Sequence, residues 1–233
     1  VDMVSGRISY GGTTGRVDAA IWFVIGVAEY WHASGDESFV ERLLPVVERV
    51  MFLLGAWEFN NRGLLYIPAT GDWSDEFIHN GYILYDQLLY LQALRSCCFL
   101  YNRFKREQRP DLVEKISRLE QLIQDNYWFG SQDKIPEHAY HEVLFEKGRR
   151  AADRCTQRYW MPFFSPHGYG YRFDAFANIL ASLLDVASDS RRRAVDAYLE
   201  ENVVPSRFKL LPAFYPVIKP VDDDWKELRV TFS

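Results

Sequence analysis

Three acids, Asp72, Asp75 and Glu76, sit beside Trp73 between Gly71 and Gly81, directly after an apolar stretch and directly before a long helical pattern. A carboxyl group that donates a proton needs such a setting. A turn at a helix mouth holds it, and an aromatic wall both raises its pKa and stacks on a sugar ring. The same segment also reads as an ordinary helix N-terminus, because Asp72 and Asp75 stand at the capping-box spacing. Glu76 has its own structural reading, as a first-turn charge favoured by the helix dipole.

Other reactive-looking groups carry less. His138 and His141, flanked by Glu137 and Glu142, lack the order of a zinc-protease helix and have no cysteine nearby, so they read as a polar loop. Asp222-Asp223-Asp224 lacks the alternating ligands and glycine of a calcium loop. Gly11-Gly12-Thr13-Thr14-Gly15 is followed by Arg16-Val17-Asp18 rather than Lys-Ser, which leaves a loop entering a helix and not a phosphate cradle. No Gly-x-Ser-x-Gly elbow occurs. Neither a metal nor a cofactor is implied. Arg191-Arg192-Arg193, between Asp189 and Asp196, reads as a solvated face.

The bulk of the chain narrows the class. A formal charge of -5 lacks the basic face that nucleic acid requires. Aromatic residues make up 16% of the chain, enough for a real core, a carbohydrate cleft or both. Cys97, Cys98 and Cys155 form no disulfide framework and read as free thiols of a reducing, cytoplasmic compartment. Val1-Asp2-Met3 does not open a signal peptide, and the apolar run from Ala19 to Ala28 is too short to span a bilayer.

Something must position the acids, and the pattern is helical throughout. Val17 to Ser34 is apolar on nearly every side, which predicts a helix buried all round and stopped by Gly35. Ser38 caps a second helix to about Trp57, with a stripe of Leu43, Leu44, Val47, Val50, Met51 and Leu54. Leu64 to Pro68 is short and extended. A third, apolar helix covers about Tyr82 to Phe104, and Pro110 starts a fourth, amphipathic one to about Tyr127. Residues 128–168 are the least regular stretch, rich in Gly and Pro. Tyr171 to Val186 makes a fifth helix, Asp189-Ser190 caps a sixth to about Asn202, and the proline-rich tail is extended.

Apolar helices thus alternate with amphipathic ones in three hairpins, expected as one helical catalytic-type domain over 1–233. A ring of such hairpins is the (α/α) six-hairpin toroid, of which three hairpins are half. An open half-ring would leave buried helix edges in water. Three resolutions stay open: an incomplete toroid, a smaller closed domain, or a homo-oligomer whose second copy completes the ring.

Several stretches together resemble a family. Arg16-Val17-Asp18-Ala19-Ala20-Ile21-Trp22-Phe23, followed by Tyr30-Trp31-His32-Ala33-Ser34-Gly35-Asp36, is similar to a helix of the neutral/alkaline invertases and of bacterial amylo-α-1,6-glucosidase-like proteins. Asp75, followed by Gly81 and then Gln87, matches an invertase stretch leading into the next inner helix. Tyr127-Trp128, the run from Gly170 through Arg172-Phe173 to Asn178, and Pro212-Ala213-Phe214-Tyr215-Pro216 with Asp224-Trp225 continue the likeness in order. The resemblance implies an all-α six-hairpin glycoside hydrolase that cleaves an α-glucosidic bond with inversion. It makes Asp75 the general acid, puts Asp18 and Gln87 at the sugar, and makes Trp22, Trp73 and Arg172 their neighbours.

The chain departs from the family at two places that bear on substrate. Tyr85 stands where the invertases carry a Glu, with Asp86 next to it, and Gly170 stands where their later helix begins with an acid. These departures make a debranching-type glucosidase as good a fit as sucrose cleavage. Inversion also requires a second carboxylate on the opposite side of the sugar. Glu137, Glu142 and Asp174 are candidates, each with a structural or solvated reading, so a base from outside the chain is expected. The competing readings are a carbohydrate-binding domain without catalysis and a helical scaffold for protein partners.

Overall fold

The computed structural model describes residues 16–69, 71–74, 79–129, 134–154, 158–204 and 210–225. Its helices are α1 (Val17–Ser34), α2 (Glu37–Ala56), α3 (Leu84–Leu100), α4 (Pro110–Tyr127), α5 (Glu142–Arg154), α6 (Ala175–Leu183) and α7 (Asp189–Tyr198). Five short strands punctuate them: β1 (Tyr82–Ile83), β2 (Phe163–Ser165), β3 (Gly168–Tyr169), β4 (Phe173–Asp174) and β5 (Phe214–Tyr215). β1, β2 and β3 pair antiparallel in that order, and β4 pairs with β5. No described helix is long and apolar enough to cross a membrane.

α3 is the centre of the molecule, with α1, α4 and α6 packed against it and α2 backing α1. It is buried on almost every side, including the polar residues Asp86, Gln87 and Ser96. α3, apolar on nearly every side, sits inside because only such a helix can lose water from its whole circumference, while striped α2 and α4 lie outside. The stops and starts have local causes. Gly35 takes the left-handed backbone (φ 66°) and gives its N–H to Trp31 O. α2 is capped by Asp36 rather than Ser38: Asp36 Oδ1 accepts the Phe39 N–H at 3.0 Å and the Ser38 hydroxyl at 2.9 Å.

α5 falls within the stretch expected to be irregular, and further sequence expectations change. α1 is not buried all round: Ala19, Trp22, Gly26, Glu29 and Tyr30 form an exposed stripe, since α2 and α3 cover only part of its surface. α3 ends at Leu100 and continues as a π-type turn, Tyr101–Lys105, instead of running on as α-helix to Phe104. α6 starts at Ala175 rather than Tyr171, because Phe173 and Asp174 are taken up in pairing with Tyr215 and Phe214. The arginine run at 191–193 is only partly a solvated face: Arg193 is exposed, but the Arg191 guanidinium lies over the rings of Trp128 and Trp160 at 5.1 and 4.9 Å, and Arg192 bonds Ala187 O and Asp185.

Candidate active site

The inner helices α1, α3 and α6 each begin against a crossing segment. The Val17 N–H bonds Gly71 O at 2.8 Å, the Leu84 N–H bonds Pro162 O at 2.8 Å, and the Ala175 N–H bonds Ala213 O at 3.1 Å. These bonds satisfy first-turn donors that no helix can satisfy internally, and they fix three helix mouths to three loops. An acid stands at each mouth: Asp18 in the first turn of α1, Asp86 in the first turn of α3, and Asp174 as the N-cap of α6. Asp72 follows Gly71 directly and joins them.

These four carboxyl groups form one electrostatic cluster from which water is largely excluded. Asp18, Asp72, Asp86 and Asp174 are 8%, 1%, 0% and 1% exposed. Asp72 Oδ1 accepts the backbone N–H of Ser74 at 3.0 Å and its hydroxyl at 2.8 Å, while Oδ2 has no partner among the described residues. Burial, with the charge of Asp18 beside it, raises the Asp72 carboxyl to about 6 against those two hydrogen bonds. Asp174 caps Ala177 N–H at 3.0 Å, and burial raises it to about 7, with Asp72 contributing. Neither oxygen of Asp86 meets a hydrogen-bond partner among the described residues. Burial, then Asp72, Asp18 and Asp174, hold its carboxyl well above the ordinary range.

Aromatic rings wall the cluster. Trp73 stacks on Phe214 at 6.0 Å between centroids and meets Phe176 and Tyr85 edge-on at 5.6 and 6.1 Å. Trp22, one turn beyond Asp18 on α1, gives its indole N–H to Tyr85 Oη at 2.9 Å. Trp22 and Phe176 are 41% and 39% exposed, so they stand at the rim while Tyr85, at 2%, lies behind them. Carboxylates among rings with exposed faces are suited to holding and protonating a saccharide.

The residues singled out in the sequence fare differently. Asp18, Trp22 and Trp73 are brought together at the cluster. Asp75 and Glu76 lie outside the described residues, three and four positions beyond Asp72. Gln87 does not turn its amide to the site. Its oxygen accepts the Leu65 N–H at 2.9 Å, and its nitrogen donates to Leu65 O at 2.9 Å and Ile83 O at 3.2 Å, stitching an extended segment to α3. Arg172 ties down the tail: it donates to Pro216 O, Asp222 and Asp224 at 2.7–3.1 Å. Of the candidate bases, Glu137 and Glu142 are exposed, whereas Asp174 is in the cluster. His141 caps α5 through the Val143 N–H, and His138 faces Asp125. Asp86 and Tyr85, which the sequence reading noted only as a departure from the invertase pattern, also belong to the site. For Asp86 the signal is an acid at the start of each inner helix, in the first turn of α1 and α3 and at the N-cap of α6.

An all-α arc of inner and outer helices with acids gathered at the inner helix mouths is the architecture of an (α/α)-toroid glycoside hydrolase. The family model for alkaline and neutral invertase matches residues 6–143, more than half of the sequence, and the chain belongs to that family. The match runs through α1 to α4, including Asp18, Asp72 and Asp86, and stops before Asp174. No curated protein matches the chain.

Proposed function

We propose that this glycoside hydrolase cleaves an α-glucosidic bond of a small oligosaccharide or glucoside with inversion, with Asp75 as the general acid. The observation that carries the reading is the convergence of Asp18, Asp72, Asp86 and Asp174 at three helix mouths behind an aromatic rim. A proton donor in such an enzyme must hold its proton near neutrality, which desolvation and like charges achieve. Asp72, three residues before Asp75 in the sequence, is raised toward that range, which supports the reading. Asp18 would bind sugar hydroxyls from the α1 mouth, and Trp22 and Trp73 would supply ring faces. Gln87 and Arg172 would act at one remove, by fixing the Leu65 segment and the 216–224 tail. The substrate is a neutral carbohydrate, and the chemistry uses carboxyl groups alone.

The test is incubation with sucrose, maltose, isomaltose and glucosylglycerol, with the anomers followed by NMR. Inversion releases β-glucose first, and α-glucose as the first product would overturn that part of the reading. Asp75→Asn should lower kcat by about a hundredfold or more while sugar binding persists. Unchanged turnover in that variant removes Asp75 from the acid role.

A further inference from the structure

Tyr85 has a proton to give and nothing in the described protein to give it to. Its hydroxyl accepts the indole N–H of Trp22 at 2.9 Å, and no described oxygen accepts in return. A phenol accepts and donates at once, so the Trp22 bond fixes one side of the oxygen and leaves the proton to point elsewhere. The side chain is 2% exposed, yet it lies one hydrogen bond from an indole that is 41% exposed. Its surroundings are those of the site: the rings of Trp73 and Phe176 at 6.1 and 5.2 Å, and the charges of Asp18, Asp86 and Asp72. Burial first, then those charges, push the phenol well above its usual range, so it stays neutral and able to donate.

Asp72 Oδ2 is the complementary group, a buried acceptor with no described partner in the same electrostatic cluster. A sugar hydroxyl both donates and accepts, and a donor and an acceptor that are both unspent match it. We propose that Tyr85 is a specificity-determining residue that gives its O–H to one hydroxyl oxygen of the bound hexose, whose proton passes to a carboxylate of the cluster as a hydrogen bond. The assignment rests on the glycoside hydrolase reading and names the group that selects the sugar.

The experiment titrates the full chain with D-glucose and its monodeoxy analogues, read by ligand NMR, for wild type and Tyr85→Phe. Wild type should bind one deoxy analogue about tenfold more weakly than glucose. Tyr85→Phe should bind glucose about tenfold more weakly and no longer distinguish that analogue. A Tyr85→Phe protein that binds glucose normally, or still penalises the same analogue, overturns the assignment and leaves the hydrolase reading standing. Wild type that binds no glucose and hydrolyses none of sucrose, maltose, isomaltose and glucosylglycerol overturns both. Trp22→Phe removes the N–H that orients the phenol and decides the matter should Tyr85→Phe fail to fold. Weakened discrimination supports the assignment, and full discrimination overturns it.

Discussion

Gln87 shows how residue type and residue role can separate. A buried amide on an inner helix, twelve residues beyond an acid, fits a sugar-binding pattern by sequence. In the fold it replaces a strand neighbour: Leu65, itself fully buried, finds both backbone partners on this one side chain. Gln87→Leu would strand a buried N–H and a buried C=O together. Each orphan costs about 1–3 kcal/mol, so a loss of about 2–4 kcal/mol is expected in urea unfolding, with glucose affinity unchanged in the protein that remains folded. A large loss of affinity without a loss of stability would return Gln87 to the sugar. Trp22 and Asp18 were legible only through the invertase resemblance, and their i, i+4 spacing on α1 is consistent with one face. Asp86 was not, because an acid in the first turn of a helix is also the commonest way to satisfy the helix dipole. Only burial among other acids distinguishes the two uses.

At the scale of elements, the helices with clean periodicity were readable almost to the residue, α1 and α4 above all. α5 was missed, and Gly148 is the reason. A glycine among charged residues reads as a breaker, but here it lets the helix sit tightly on β3. A Cβ at Gly148 would stand 2.3 Å from Phe129 Cζ and 2.8 Å from Tyr169 Cε2. Both rings are packed, Phe129 against Phe145 and Tyr169 against Phe164, so neither yields freely. Gly148→Ala gains about 1 kcal/mol of helix propensity and forces overpacking that costs about 1–3 kcal/mol. A net loss of up to about 2 kcal/mol in thermal unfolding is expected, and a stabilised variant would show that the helix does not press on the strand. Gly170 has the same cause, since a Cβ there would meet the Phe163 ring at 2.3 Å. Both glycines answer to contacts across the fold, which local pattern cannot reveal.

At the scale of the whole molecule, the carboxyl cluster sets how stability depends on pH. Asp72 and Asp174 move from 3.8 in the open chain to about 6 and about 7 in the folded one. The folded state therefore holds protons that the unfolded state releases, and stability falls wherever that difference exists. Their contribution is complete below about pH 4, is lost as pH rises through 6 and 7, and is flat beyond. The acids that the fold lowers, Asp36 and Asp111 among them, titrate below this window, but buried His79, lowered to about 4, gains stability as pH rises to 6.5 and offsets part of the loss there, so the fall is clearest above pH 6.5. For Asp174 alone the loss approaches 4 kcal/mol at about 1.4 kcal/mol per pKa unit, shared in part with Asp72 through their coupling. Asp174→Asn keeps an N-cap acceptor for the Ala177 N–H and removes the desolvated charge. It should exceed wild type by about 2 kcal/mol at pH 5 and by about 4 kcal/mol at pH 8, measured by urea unfolding at both values. Wild type that grows more stable between pH 5 and pH 8 would mean that the cluster is ionised and paired, and the desolvated site that proton donation requires would be gone with it.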